Sequence, residues 1–431
     1  MTPGARVAAA VEVLADIETR HRPTADALKD WGTSHRFAGS GDRAAIGNIV
    51  YDALRRRRSI AWAMASDSPR ALALGAVAFS WGEKPDAIAE MLTAPHAPEP
   101  LTRDEAARLA AADLDRAPDA VRADVPDWLT PSLARGLGDY WVAEMQALAA
   151  RPALDIRVNR LKSDRAKVMR ALSKEAVAET PFSPDGLRVP PTTRDGRHPA
   201  LQAEPAFGKG WFEVQDEGSQ IAALSVGARP GEQVLDLCAG GGGKTLALAA
   251  AMDNKGQVHA TDSDRHRLAP IFERLRRAGT RNVQVHPAGA EVPFDGKMDR
   301  VLVDAPCSGS GAWRRHPDAK WRLTEASLDR RCDEQRALLR QAAGFVRPGG
   351  LLVYVTCSLL PEENEDQVTA FVEENPDFAL LPSADIVAGA GLDEVAAAVL
   401  VAAAASPCGL LLTPRRTGTD GFFVAAVRRK G

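Results

Sequence analysis

Gln233-Val-Leu-Asp-Leu-Cys-Ala-Gly-Gly-Gly-Gly-Lys-Thr245 reads as a strand that stops at an acid, turns through four glycines and opens a helix. The same order repeats downstream. Lys244 to Met252 is predicted as helix, Gln257 to Thr261 as strand, Arg265 to Ala278 as helix and Val283 to Val285 as strand. Arg300 to Val303 is the next strand. Thr324 to Phe345 is a long helix with Thr324 as N-cap, Leu351 to Val355 a strand and Glu363 to Glu374 a helix, before two late strands at Leu410 and Phe422. Strand-length apolar runs alternating with helices predict an α/β fold with a parallel, doubly wound sheet.

Upstream the pattern changes. Leu154 to Asn159 alternates like a strand, and Arg165 to Ser173 is a short helix. Pro181 to Pro199 holds five prolines and reads as loop; Gly210 to Gln215 is a strand and Gly218 to Ser225 a helix. Further upstream only helical periodicity remains. Val7, Val11, Leu14 and Ala15 form one stripe over Ala5 to Ile17, and Ile46, Val50 and Leu54 another over Asp42 to Arg58. Pro118, Pro126 and Pro131 break the chain between these regions. Three parts are expected: an all-helical 1–128, a small α+β part 129–225 and the α/β part 226–431.

Length and composition bound what the chain can be. At 431 residues it exceeds one ordinary domain. No run approaches the ~20 apolar residues that span a bilayer, and the N-terminus lacks a signal-peptide core, so no membrane partner and a cytoplasmic location are expected. Five cysteines without CxxC spacing suggest neither a disulfide framework nor a zinc ribbon, and the eight histidines form no ligand spacing, so no metal is expected. The net charge of −3 is unevenly spread: Arg151 to Ala200 carries 11 Lys/Arg against 6 Asp/Glu, which makes it the candidate phosphate-facing stretch.

The glycine loop admits three readings. A P-loop needs a glycine five residues before Gly243, and that position is Cys238. The dinucleotide fingerprint counted from Gly240 ends on Thr245, not glycine. The Asp-x-Gly-x-Gly-x-Gly loop of class I methyltransferases fits at Asp236, Gly240 and Gly242, with Cys238 replacing the first glycine. Asp262 then ends the second strand, where open α/β folds place an acid on ribose hydroxyls. A plain tight turn is the rival account, but four consecutive glycines carry a large entropy cost.

Two cysteines also fall at strand ends, in Asp304-Ala-Pro-Cys-Ser-Gly-Ser-Gly311 and in Thr356-Cys357-Ser358. A cysteine after a buried strand usually just packs. Two of them in polar, small-residue loops at the carboxyl edge of one sheet point to covalent catalysis. A thiol of pKa ~8.5 needs nearby positive charge or donors to act as thiolate; Lys244, Arg314 and Arg315 are candidate suppliers.

These loops, with Val214-Gln-Asp-Glu-Gly-Ser-Gln220, Arg315-His-Pro-Asp-Ala-Lys-Trp321, Tyr354-Val-Thr-Cys-Ser-Leu-Leu-Pro-Glu-Glu-Asn-Glu365 and Thr419-Asp-Gly-Phe-Phe-Val-Ala425, make the chain resemble the RsmB/Nop/Sun family of RNA cytosine-5 methyltransferases. The resemblance implies a Rossmann-like catalytic domain dependent on S-adenosylmethionine, preceded by an all-α NusB-like domain and a small α+β RNA-binding subdomain. It implies Cys357 as the nucleophile that adds to carbon-6 of cytosine and Cys307 as the thiol that helps release the product. It assigns the cofactor to Cys238, Ala239, Gly240, Gly241, Gly242, Gly243, Lys244, Asp262 and Arg267, with Asp304 between cofactor and base. The implied partner is RNA, a cytosine of 16S ribosomal RNA or of an early small-subunit assembly state; the rival readings are the same chemistry on transfer RNA or another ribosomal site, or a non-catalytic assembly factor that keeps the fold, and a monomer is expected. Two positions depart from the family. Its loop usually reads Cys-Ala-Ala-Pro-Gly-Gly-Lys, so Gly240 and Gly241 should make this one floppier. Gly289 stands about where the family has an acid near the adenine.

Other features are read against plainer accounts. Arg55 to Arg58 could grip phosphate or simply end a solvated helix. Arg157, Arg160, Lys162, Arg165 and Lys167 are the better RNA candidates. Arg314 to Trp321 mixes cations with an aromatic, as a flipped base and its phosphates would require. Glu362 to Glu365 most simply starts a helix. Cys332 and Cys408 are read as structural.

Overall fold

The computed structural model describes residues 1–290 and 293–431. The chain forms two compact units. One contains Met1–Pro152, Pro191–His198 and Ala312–Leu323; the other contains Ala153–Pro190, Pro199–Gly311 and Thr324–Gly431.

The first unit is helical. Pro3–Arg20 starts on Thr2, whose hydroxyl accepts from the Ala5 N–H, and its stripe of Val7, Val13 and Leu14 meets Ile46, Val50 and Leu54 of Ser40–Arg55. The helix expected over Asp42 to Arg58 breaks at Arg56, and a second helix runs Arg57–Met64. Of Arg55 to Arg58, Arg55 departs from the solvated helix end. Arg55 is buried, donating to Asp52 and to the Arg314 carbonyl, while Arg57 pairs with Glu18 and Arg58 with Asp127. Arg55, Arg57 and Arg58 bind this unit's own carboxylates and backbone.

The segment Ala312–Leu323 belongs to this helical unit. Trp321 Nε1 donates to the Leu54 carbonyl at 2.7 Å, and buried Lys320 lies over the Trp321 ring and reaches the Arg55 carbonyl. Burial pushes the Lys320 pKa down to about 8. Arg314 is buried as well. Arg314, Lys320 and Trp321 are thus packed within this unit, while His316 stays exposed.

The second unit holds two sheets. Strands β1 (Leu154–Val158), β2 (Ala178–Glu179), β3 (Gly186–Val189) and β4 (Phe212–Val214) form an antiparallel sheet ordered β2-β3-β1-β4. Strand β3 lies inside the stretch expected as loop. The prolines flank the alternating run Gly186-Leu-Arg-Val189 without entering it, so Leu187 and Val189 pack beside Ile156, Val158 and Val168.

The large sheet has nine strands among the described residues. They are β5 (Gln233–Asp236), β6 (Gln257–Ala260), β7 (Val283–Val285), β8 (Met298–Asp304), β9 (Val346–Thr356), β10 (Phe378–Leu380), β11 (Ala405–Ser406), β12 (Gly409–Leu412) and β13 (Phe422–Arg429). The path β7-β6-β5-β8-β9 is parallel, but β13 runs antiparallel to β9, and β10 to β12 continue antiparallel. The sheet is thus mixed rather than wholly parallel. The short turn Pro414–Thr417 between β12 and β13 allows only an antiparallel pairing. Val234, Val258, Leu302 and Val353 pack with Ile221, Leu248 and Leu400, while Ala260 meets Leu268 and Ile271. Both faces are covered, which explains the continuous apolar strands. Among the described residues no helix is long and apolar enough to cross a membrane.

Candidate active site

From β5 the chain adds β6 and then β7 on one side and β8 and then β9 on the other, all parallel, so the order of succession reverses between β5 and β8. Such a switch point opens a crevice at the carboxyl edge. A cavity of 410 Å³ lies here, in the ~300–1,000 Å³ range of ligand sites. Its walls include Cys238, Asp262, Arg267, Gly289, Pro306 and Phe345.

The glycine loop is held in shape from several sides. Gly240 N–H donates to Asp262 Oδ2 at 2.9 Å, and Ala239 N–H to the Thr261 carbonyl at 2.8 Å. Gly242 has φ +80° and caps the helix Gly243–Ala251; a Cβ there would lie 2.5 Å from Ile271. Arg274 Nη1 donates to the Gly241 carbonyl at 2.7 Å and is itself fixed by Glu213 of β4. Arg157 of β1 donates to the Gly243 carbonyl at 2.9 Å and to Gln215 Oε1. The loop expected to be floppy is therefore tied down by two arginines from outside it. Cys238 is buried, and burial pushes its thiol well above the ordinary range. Arg267 is half exposed, with Nη1 4.0 Å from Asp262 Oδ2.

The helix after the loop aims Lys244 at the end of β8, where its Nζ donates to Asp304 Oδ2 at 2.7 Å. Strands β8 and β9 are parallel neighbours, with Asp304 opposite Val355. The loops that follow them bring Cys307 Sγ and Cys357 Sγ to 3.3 Å. Both residues are half-buried. Gly311 locks the two loops, donating to the Cys357 carbonyl at 2.9 Å and accepting from Gly421 N–H at 2.8 Å. A Cβ on Gly311 would fall 2.2 Å from the Gly421 oxygen.

A family model described as 16S rRNA methyltransferase RsmB/F matches residues 223–428, and one for the RsmF/B-like ferredoxin-like domain matches residues 125–193. The chain belongs to the RsmB/F methyltransferase family. A probable ribosomal RNA small subunit methyltransferase B of Synechocystis sp. is 32% identical over 70% of this chain and 66% of that protein. The ribosomal RNA small subunit methyltransferase B of Citrobacter koseri is 36% identical over 59% of each. The chain therefore matches under two thirds of the length of these curated relatives. The crystal structure of PH0851 aligns over 100% of this chain and 99% of its own, with a TM-score of 0.71 at 25% identity. NSun6 from Pyrococcus horikoshii with SFG aligns over 71% of this chain and 98% of its own, with a TM-score of 0.60 at 21% identity.

In this RsmB/F member the remaining candidates are dispersed. Arg160 pairs with Asp185 and Arg165 with Glu179, and Lys162 donates to the carbonyls of Lys209 and Arg277. Lys167 lies 4.1 Å from the centre of the Trp211 ring. Cys332 donates to the Glu362 carbonyl and Cys408 is buried beside Thr369. Arg157, Arg274 and Glu213 hold the loop without having been singled out for it. Glu363 was missed altogether: it is fully buried and holds Ser308, the residue after Cys307. Its sequence signal, an acid run opening a helix, carries no hint of that contact.

Proposed function

We propose that this chain transfers the methyl group of S-adenosylmethionine to carbon-5 of a cytosine in RNA, with Cys357 as nucleophile and Cys307 as the thiol that frees the product. The observation that carries the reading is the thiol pair, 3.3 Å apart at adjacent strand ends, with Pro306 beside it in the cavity wall.

The cavity fits the cofactor. Asp262 offers a carboxylate to ribose hydroxyls, and the Cys238 to Gly243 loop brings backbone close without side chains. Among the described residues, Gly289 and Ala290 line this cavity with Leu338, Gln341 and Phe345, room for a base. When bound, S-adenosylmethionine supplies an electrophilic methyl group. The protein's task is to make carbon-5 nucleophilic. Addition of the Cys357 thiolate to carbon-6 forms a C–S bond and pushes electron density onto carbon-5. Asp304, anchored by Lys244, is assigned the place between cofactor and base.

The pair also orders the steps. The hydrogen bond to Cys357, then burial, hold the Cys307 thiol well above its ordinary range, so Cys307 keeps its proton while Cys357 is free. Once Cys357 is a thioether the part of that hold set by its sulfur is relieved, while burial remains, and Cys307 gives its proton to water more readily. As thiolate it then takes the carbon-5 proton, the C5–H pair restores the C5=C6 bond, and Cys357 leaves carbon-6 as thiolate.

The RsmB/F family and the relatives' names favour 16S ribosomal RNA or an early small-subunit assembly state as substrate. We assign RNA binding to the helical 1–128 and the small α+β part 129–225, and catalysis to 226–431, in a cytoplasmic monomer. Incubation with 16S transcript and S-adenosylmethionine tests the chemistry. Cys357→Ala should abolish transfer, and Cys307→Ala should accumulate a protein–RNA adduct that survives a denaturing gel. Roles reversed, or no adduct from Cys307→Ala, would overturn the reading.

A further inference from the structure

Two sulfurs this close could each attack a pyrimidine, so something must decide between them. Glu363, in the turn Pro361–Glu363 after β9, is placed to do so. Its carboxylate accepts from Ser308 N–H at 2.7 Å, from the Ser308 hydroxyl and from Gln335 Nε2 at 3.1 Å. Gln335 also donates to the Pro306 carbonyl at 2.9 Å, so the Cys307 loop is clamped on both sides of the thiol. Glu363 is fully buried, and among the described residues no Lys, Arg or His pairs with it.

We infer that Glu363 is the positioning residue that makes Cys357, and not Cys307, the nucleophile. The inference rests on the covalent reading proposed above. Two physical effects carry it. A thiolate is stabilised by nearby N–H donors, and Glu363 occupies the N–H of Ser308, the first donor beyond Cys307. Its own unpaired negative charge, poorly screened in a buried site, then opposes a second anion beside it. The other groups facing Cys307 act alongside it. Cys357 comes from β9, and so does Tyr354, whose hydroxyl donates to the Glu363 carbonyl at 2.7 Å. Gly309 N–H favours the Cys307 thiolate, against Cys357 and Glu363. Cys332, on the helix Glu325–Phe345, feels the same carboxylate: burial, with Glu363 next, pushes its thiol up to about 12. A mere clamp would need no charge, since glutamine in this place keeps an acceptor for Ser308 N–H and a donor for its hydroxyl.

That difference gives the test. The native full-length protein is treated with iodoacetamide across neutral pH, and each cysteine's rate is read by peptide mass spectrometry. In the wild type Cys357 should react first and Cys307 about tenfold more slowly or slower. Glu363→Gln should speed Cys307 about tenfold and move its pH profile downward, while buried Cys408 stays protected as a sign of intact folding. Equal wild-type rates, or a folded Glu363→Gln with an unmoved Cys307 profile, would overturn the inference. Should Glu363→Gln fail to fold, Ser308→Ala takes its place: it removes one donor from the Glu363 carboxylate and leaves its charge less compensated, so Cys307 should slow further, and a faster Cys307 would overturn the inference. Failure of the covalent reading would look different: the alkylation pattern would hold, and Cys307→Ala would trap no RNA.

Discussion

Asp236 brings a carboxylate into full burial at the end of β5. One oxygen takes the Thr245 hydroxyl at 2.7 Å, and the other meets no donor among the described residues. Burial pushes its pKa up to about 7, whereas an unfolded aspartate titrates near ~4. The native state thus holds a proton that the unfolded chain has released, so this residue's contribution to stability is present at low pH and lost as pH rises through about 7. Asp236→Asn, which keeps an acceptor for Thr245, should raise Tm clearly above that pH and little near ~4. A thermal melt showing equal shifts at both ends would refute this. Lys244 and Asp304 offer a second case. Lys244→Met strips Asp304 of its partner, and transfer should fall about 100-fold or more with Tm little changed; a transfer rate within a few-fold of wild type would show that the pair does not orient the site.

Elements show where local sequence suffices. Strands β5, β6, β8 and β9 are legible because helices cover both faces and each is built on apolar residues, such as Val301-Leu-Val303 in β8 and Leu351-Leu-Val353 in β9. The glycine loop and the two Cys loops are legible as short strings. What escapes is anything made by residues far apart: Arg157 reaches the loop from β1, Arg274 from the helix Ile271–Ala278, and Glu363 reaches Ser308 across 55 positions. Strand β3 escapes for another reason, since flanking prolines mask an alternating run. The loop makes sharp predictions. Gly242→Ala meets Ile271 at 2.5 Å in a left-handed conformation and should abolish cofactor binding. Gly241→Ala meets Arg274 Nη1 at 3.2 Å, and because Glu213 holds that guanidinium, the methyl should push it off the Gly241 carbonyl and weaken cofactor binding less than Gly242→Ala does. Arg274→Ala should weaken binding of S-adenosylhomocysteine about tenfold, measured by calorimetry, with Tm nearly unmoved; unaltered affinity would mean the guanidinium is not what holds the loop.

At the scale of the whole molecule, continuity in sequence and continuity in space part company. The helical unit is closed by residues from three stretches of chain. Asn48 holds the carbonyls of Arg194 and Gly196, and Arg151 pairs with Asp52. Periodicity finds the helices but cannot foretell that Trp321 and Lys320 complete them, because a loop that packs on another part of the chain has no pattern of its own. Residues 1–152 expressed alone should therefore melt at a lower temperature than the same unit within the full chain. Coincident melting by circular dichroism would show that the later stretches add nothing.

That interleaving limits how such a protein could be rebuilt. Its helical and α/β units look like interchangeable cassettes when laid out along a line, yet a graft cut at any single junction would leave Ala312–Leu323 behind in the wrong partner. A working chimera would have to carry that insert across together with the head it fits.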